Sequence, residues 1–333
     1  MSTRRLRAAP CGLALPFIVI SLLIPTSDAL AHCFVGNRFF PATLNVDDPC
    51  VADEMSLPTL DTFKTADNPP LRQTDIAFDF AKRITENFGI TAGSNWTNLR
   101  QPDGRNISGF QNLNTTFQFQ LWKDPARELA LLAGVSVEWG GTGASGVGAS
   151  PFSTITPKFY FGKGLGELPD TIGWARAFAV TGQIGYSIPT SSSTLGVDPD
   201  SGNLLITPNP QFLLYGATLQ YSMPYLKSAV IDLQLPDFVN HLIPIVEAQF
   251  QTPAGNSFGT GLVTTGTVSP GVIWVGSYYQ VGVEAIVPIN RQSGTGVGVI
   301  GQLHLYLDDI FPRGIGQPLF GAAATPARPL FGG

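Results

Sequence analysis

Between residues 73 and 308, run after run of the chain alternates apolar and polar side chains with period two, the mark of a sheet with one apolar face. In 112–121, Leu113, Thr115, Phe117, Phe119 and Leu121 share one face, and Asn112, Asn114, Thr116, Gln118 and Gln120 share the other. Near the C-terminus Val297, Val299, Leu303, Leu305 and Leu307 oppose Gln302, His304, Tyr306 and Asp308. Phe178, Val180 and Ile184 likewise oppose Thr181 and Gln183, and Val281, Val283 and Val287 oppose Gln280 and Glu284. No run keeps an i, i+3, i+4 stripe, so helices do not fit. Each run is close to the roughly 9–11 residues that a tilted strand needs to cross a bilayer.

Charge decides what the apolar face meets. Only 13% of residues are charged, about half the usual quarter, and a surface that faces lipid needs little charge. After the first thirty residues no segment offers the ~18 consecutive apolar residues of a membrane helix. Among membrane folds that leaves a closed barrel, because only helices and closed barrels satisfy every backbone group in lipid. A secreted Gly/Thr-rich β-sandwich is the alternative. Trp96, Trp122, Trp139, Trp174, Tyr186, Tyr221, Trp274 and Tyr278 fall at or near strand ends, where interfacial girdles place them, and this favours the barrel. The expected fold is all-β, a transmembrane antiparallel up-and-down β-barrel.

The N-terminus carries an export signal by its pattern. Arg4, Arg5 and Arg7 precede an apolar stretch from Leu13 to Ile24, and Ala29-Leu30-Ala31 makes a small-x-small cleavage site. Residues 1–31 are thus expected to be a Sec-type signal peptide, with the bacterial outer membrane as destination. Its loss removes three Arg and one Asp and takes the formal charge from −5 to −7, which excludes a nucleic-acid footprint. His32 stands where a lipoprotein signal needs a small residue, so a lipid anchor is not expected. Cys33 and Cys50 are then the only cysteines left, and in an oxidising compartment a disulfide is the simplest outcome. A metal pair is the weaker reading, with only His32 nearby.

Residues 32–72, rich in Pro and Asp and without periodicity, read as a disulfide-tied N-terminal periplasmic or plug segment; 73–308 read as the barrel and 309–333 as a tail. Eleven strands can be counted, whereas bacterial single-chain barrels have an even number. Either a twelfth strand hides in 51–66, or residues 33–72 thread the lumen as a plug. About twelve strands is the preferred count.

Catalytic motifs are weak. Gly141-Thr142-Gly143-Ala144-Ser145-Gly146 fits G-x-G-x-x-G, but it opens a Gly/Ser loop between strands, not a helix after a buried parallel strand. Ser145 also lacks the second Gly of a nucleophile elbow. His304 shares the lumen face with Gln302, Tyr306 and Asp308; a hydrolase would need a Ser beside it and a third group to orient it, and the sequence identifies neither. No enzymatic activity, cofactor or metal is expected. By strand phase Asp75, Asp79, Glu138, Glu247, Glu284 and Asp308 point inward against Arg83 and Lys158. An acidic excess would favour cations or neutral solutes in a pore; equally, these groups could pair among themselves or with plug residues.

Leu219-Gln220-Tyr221-Ser222-Met223-Pro224-Tyr225, Leu242-Ile243-Pro244-Ile245-Val246-Glu247, Gly271-Val272-Ile273-Trp274-Val275-Gly276, and Val283 to Pro288 closing on Leu303 to Phe311 resemble the outer-membrane transporters named for the meta-pathway of phenol degradation. The resemblance covers 210–312 well and 73–210 loosely, through strand patterns. It implies a passive channel or transporter for small solutes, often hydrophobic or aromatic. A closed structural or surface-interaction barrel is the alternative, and an outer-membrane lipid hydrolase a more distant one. Expected partners are outer-membrane lipid, the solute, and the assembly machinery during insertion.

Overall fold

In the computed structural model, residues 33–197 and 202–321 are described. The expected signal peptide with its cleavage site at Ala31, and the part of the expected tail beyond 321, lie outside these residues. Twelve antiparallel strands close into a barrel. In chain order they are β1 (Glu54–Lys64), β2 (Arg72–Thr85), β3 (Phe88–Arg100), β4 (Leu113–Asp124), β5 (Leu129–Trp139) and β6 (Thr154–Gly164). The second half comprises β7 (Phe178–Pro189), β8 (Gln211–Tyr221), β9 (Leu242–Gly255), β10 (Thr265–Val275), β11 (Tyr279–Pro288) and β12 (Gly298–Tyr306). Sequential strands are neighbours, and β12 returns to β1 in the register Tyr306↔Glu54 and His304↔Ser56. A short strand, Asn106–Phe110, extends the β3 pairing above β4.

The expected twelfth strand exists, and the wall accordingly begins at Glu54 instead of residue 73. Its pattern is broken by a bulge between Ser56 and Thr59 against both neighbours. Pro58 sits in that bulge and has no N–H to give to a ladder. The plug exists as well, but it is residues 33–53, shorter than the 32–72 expected. The structure therefore contains both of the alternatives that the strand count left open.

Alternation places the faces as expected. Phe119, Ile184, Leu219, Val246 and Val283 lie on the outside, exposed by 42–49%, while their neighbours Gln120, Gln220, Glu247 and Glu284 lie buried within. Trp122, Trp174 and Tyr278 are exposed at the end where β1 starts, and Trp139 at the opposite end. At the first end the connections include the tight turns 86–87, 125–128 and 276–278, with longer ones at 165–177 and 222–241. At the other end every connection between the twelve strands is at least as long as 65–71, and 190–210 carries a hairpin of Ser193–Val197 with Leu204–Pro208. The Gly141–Gly146 stretch lies in a loop with one short helical turn, Ser145–Val147. No described helix is long and apolar enough to cross a membrane.

Residues 33–53 fill the lumen at the β1-start end. Phe34–Val35 pairs with Arg38–Phe39 in a small hairpin, turning at Gly36 with φ +64°. A Cβ there would also run into the Pro125 carbonyl, so glycine is required twice over. Cys33 and Cys50 form a disulfide with a Cα–Cα distance of 5.3 Å, closing the segment on itself. Their thiolates are therefore not available to a metal. Phe39 packs against Ile243, Ile245, Ile273, Val275 and Tyr306 of the wall. The wall is thinned to receive the segment: a Cβ on Gly89, Gly162 or Gly282 would come within 2.6, 2.5 and 2.5 Å of Val51, Pro49 and Leu44. Residues 315–320 fold back on the same end, where Leu319 and Phe320 donate backbone N–H groups to Arg83 and Ile84.

If the outside faces lipid, Phe119→Arg destabilises the barrel by about 2–4 kcal/mol at mid-membrane depth, and Gln118→Arg by much less. Urea unfolding in lipid vesicles measures both. Equal penalties would mean that both faces pack against protein.

Candidate functional site

Three anchors hold the lumenal segment, each built from a wall group that alternation turns inward or that a turn presents at the barrel end. The first is Glu247 on β9. Its Oε1 accepts the Leu44 N–H and its Oε2 the N–H groups of Asn45 and Val46, all at 2.8 Å. Glu284 on β11 accepts from Asn45 Nδ2 at 2.8 Å, and the Gln280 amide donates to the Ala42 carbonyl. A carboxylate satisfied by three backbone donors is a strong, charge-assisted contact.

The second anchor is Arg38, fully buried. Its Nε donates to Glu128 Oε2 at 3.0 Å, and its terminal nitrogens donate to the carbonyls of Ala177 and Arg176. The guanidinium lies 3.6 Å over the Tyr225 ring, and the Tyr225 hydroxyl donates to Glu128 Oε1 at 2.7 Å. Burial, and then the nearby Glu128 carboxylate, push the Tyr225 hydroxyl up to about 12, so it remains a donor at neutral pH. Glu128 itself has φ +48°, a left-handed backbone uncommon outside glycine, in the turn between β4 and β5. The third anchor is Asp53, which accepts from Lys82 Nζ at 2.6 Å, Arg83 Nε at 2.7 Å and the Arg83 N–H at 2.8 Å.

Beyond the segment lies a cavity of about 510 Å³, bounded by Asn45, Asp47 and Asp48 of the plug and by β1–β6 and β12 of the wall. Its wall is built of Ser, Thr, Asn and Gln with Glu54, Asp79, Glu138, Lys158 and His304. Lys158 pairs with Asp47 at 3.2 Å. Asn112 donates to Glu138 at 2.8 Å.

The residues expected to line a lumen therefore divide. Asp79, Glu138, Lys158 and His304 do border the cavity. Asp75 is buried in the wall, accepting from Thr97 at 2.5 Å and from Gln73 at 2.7 Å. Arg83 belongs to the Asp53 anchor at the barrel end, 3.8 Å from Asp308, which lies just past β12 in the turn Leu307–Ile310. Glu247 and Glu284 do not face an open pore, because the plug covers them and supplies their hydrogen bonds. His304 has partners that the sequence did not reveal: Ser56 Oγ at 2.9 Å from Nδ1, and Glu54 Oε2 at 3.2 Å from Nε2. Glu54, Ser56, Arg38 and Glu128 were missed. The first two lie on a strand whose pattern is broken by its bulge, and no local signal marks the others.

No known family profile matches the sequence, and no curated protein matches it. Solved structures similar to it include the KdgM porin, with 9% identity, 74% of this chain and 98% of that chain covered and a TM-score of 0.40. The translocator domain of the autotransporter NalP from Neisseria meningitidis gives 11%, 75%, 86% and 0.43. Outer membrane phospholipase A from Escherichia coli gives 10%, 83%, 96% and 0.36. All three are barrels of the outer membrane; at these scores no function passes from them to this chain, and its fold stands on its own strand pairing.

Removing one partner of a buried ion pair costs about 3–5 kcal/mol. Glu128→Ala should therefore undock the segment, and protease should cut within 33–53 in the folded barrel. Resistance equal to that of the unaltered protein would mean that Arg38 does not anchor the plug.

Proposed function

We propose that this protein is an outer-membrane channel or transporter for small polar solutes, uncharged or cationic, closed at rest by its own residues 33–53. The observation that carries the reading is the polar cavity above a segment that, besides its apolar packing, is held by discrete hydrogen bonds and ion pairs. A volume of about 510 Å³ falls within the range of small-molecule sites. Asp47 and Asp79 are exposed to the cavity, with Glu54 and Glu138 alongside and Lys158 as the cation, so anions meet a barrier. The hydrophobic or aromatic cargo implied by the family resemblance finds no support in such a lining. The three tight turns at the plug end, 86–87, 125–128 and 276–278, support a periplasmic plug end.

A second reading, a closed structural barrel, is favoured by the depth of the plug's burial and by its disulfide. Planar-bilayer recording separates the two. The unaltered protein should conduct little, and Arg38→Ala combined with Glu247→Ala should open cation-selective steps. Their selectivity should weaken as salt rises, because screening shortens the reach of the cavity carboxylates. If this variant is cleaved by protease within 33–53 and still does not conduct, the structural barrel is the correct reading.

A further inference from the structure

We propose that Ser56, His304 and Glu54 form a hydrolytic site in the cavity wall, acting on short-chain carboxylic esters of uncharged polyols or sugars. The three groups meet the geometric conditions for an activated serine. Ser56 Oγ lies 2.9 Å from His304 Nδ1, and His304 Nε2 lies 3.2 Å from Glu54 Oε2. With Nε2–H donated to Glu54, the Nδ1 lone pair is turned to the hydroxyl, the tautomer a general base needs. Two paired strands hold the constellation. Glu54 and Ser56 are successive inward residues of β1, and His304 stands directly opposite Ser56 on β12. The Tyr306 ring, edge-on at 5.6 Å, buttresses the imidazole.

All three residues line the cavity, with Ser56 9% and His304 2% exposed. Bulges often re-aim side chains beside active sites, and the β1 bulge begins at Ser56. On the same face as His304, the Gln302 amide nitrogen donates to Thr59 Oγ1 at 3.1 Å. The polar lining suits a hydroxyl-rich alcohol, and Glu54, Asp79 and Asp47 disfavour anionic esters.

The chemistry closes with water as the only co-reactant. Ser56 Oγ attacks the ester carbonyl carbon as its proton passes to His304 Nδ1, and the carbonyl π pair moves to oxygen. Collapse breaks the carbon–alkoxy bond, and the leaving alcohol takes the proton from Nδ1. Water then attacks the acyl-serine, giving its proton to Nδ1; the carboxylic acid departs and Ser56 regains the proton. Glu54 is a positioning residue that also favours the imidazolium formed in each half-reaction.

The full-length protein, folded in detergent, is treated with a small uncharged fluorophosphonate, and the adduct is located by peptide mass spectrometry. Ser56 should be labelled, and Ser56→Ala should abolish the adduct while the heat-modifiable migration of the folded barrel persists. His304→Gln should slow labelling about 100-fold or more, within the range for loss of a general base. Glu54→Gln keeps the shape but removes the charge, so the pH at which labelling rises should move down. The ionisable groups facing the imidazole are Glu54, Asp79 and Tyr306, with Asp47, Asp48 and Lys158 around the same cavity; only Glu54 changes. An unlabelled Ser56 in the folded barrel overturns the proposal, as does labelling indifferent to His304→Gln. Conductance of the Arg38→Ala, Glu247→Ala variant without labelling of Ser56 refutes this site and leaves the channel reading intact; labelling of Ser56 without conductance of that variant does the reverse.

Discussion

The interior of this barrel depends on one carboxylate. Glu247 sits nine-tenths or more buried in a lumen, where an uncompensated charge would be severely destabilising. It is satisfied because residues 44–46 present three successive backbone N–H groups to it. The dependence runs both ways: that stretch of plug forms no ladder with the wall, and an unpaired buried backbone donor is as unwelcome as an unpaired charge. Around this contact the wall is shaped to fit, with glycines where Leu44, Pro49 and Val51 press against it. Arg38 with Glu128, and Asp53 with Lys82 and Arg83, fasten the two ends of the segment.

This arrangement divides the lumen into two chemistries. Toward the β1-start end the segment, its disulfide and the barrel wall are packed, with apolar contacts around Phe39 and Phe40. Beyond it the wall turns to hydroxyls, amides and carboxylates around water-accessible space. A solute entering from the loop end therefore meets a polar vestibule whose floor is the plug itself. On the proposed channel reading, movement of that floor is the step that opens the conduit.

Strand phase was legible in the sequence because lipid on one side and a polar lumen on the other enforce it at every second residue. Phe117 against Gln118, and Leu303 against His304, could be assigned to faces for that reason. Strand β1 was harder to read: Pro58 and the bulge interrupt Glu54–Lys64, so its alternation does not run through. Glu54 and Ser56 went unrecognised with it, and His304 was left without visible partners. The plug was legible only as a parity problem and a cysteine pair, since irregular backbone held by tertiary hydrogen bonds has no period. Glu247 and Glu284 follow the strand phase inward, but what fills the lumen in front of them depends on residues some 200 positions away.

The seating of residues 44–46 against Glu247 is most directly tested by hydrogen–deuterium exchange on the folded protein, resolved to the amides of Leu44, Asn45 and Val46. Strong protection is expected at all three, lost together in Glu247→Ala while the strand amides of β9 stay protected. Exchange of these three amides at the rate of a free peptide in the unaltered protein would contradict it, because the plug would then not be docked on the wall.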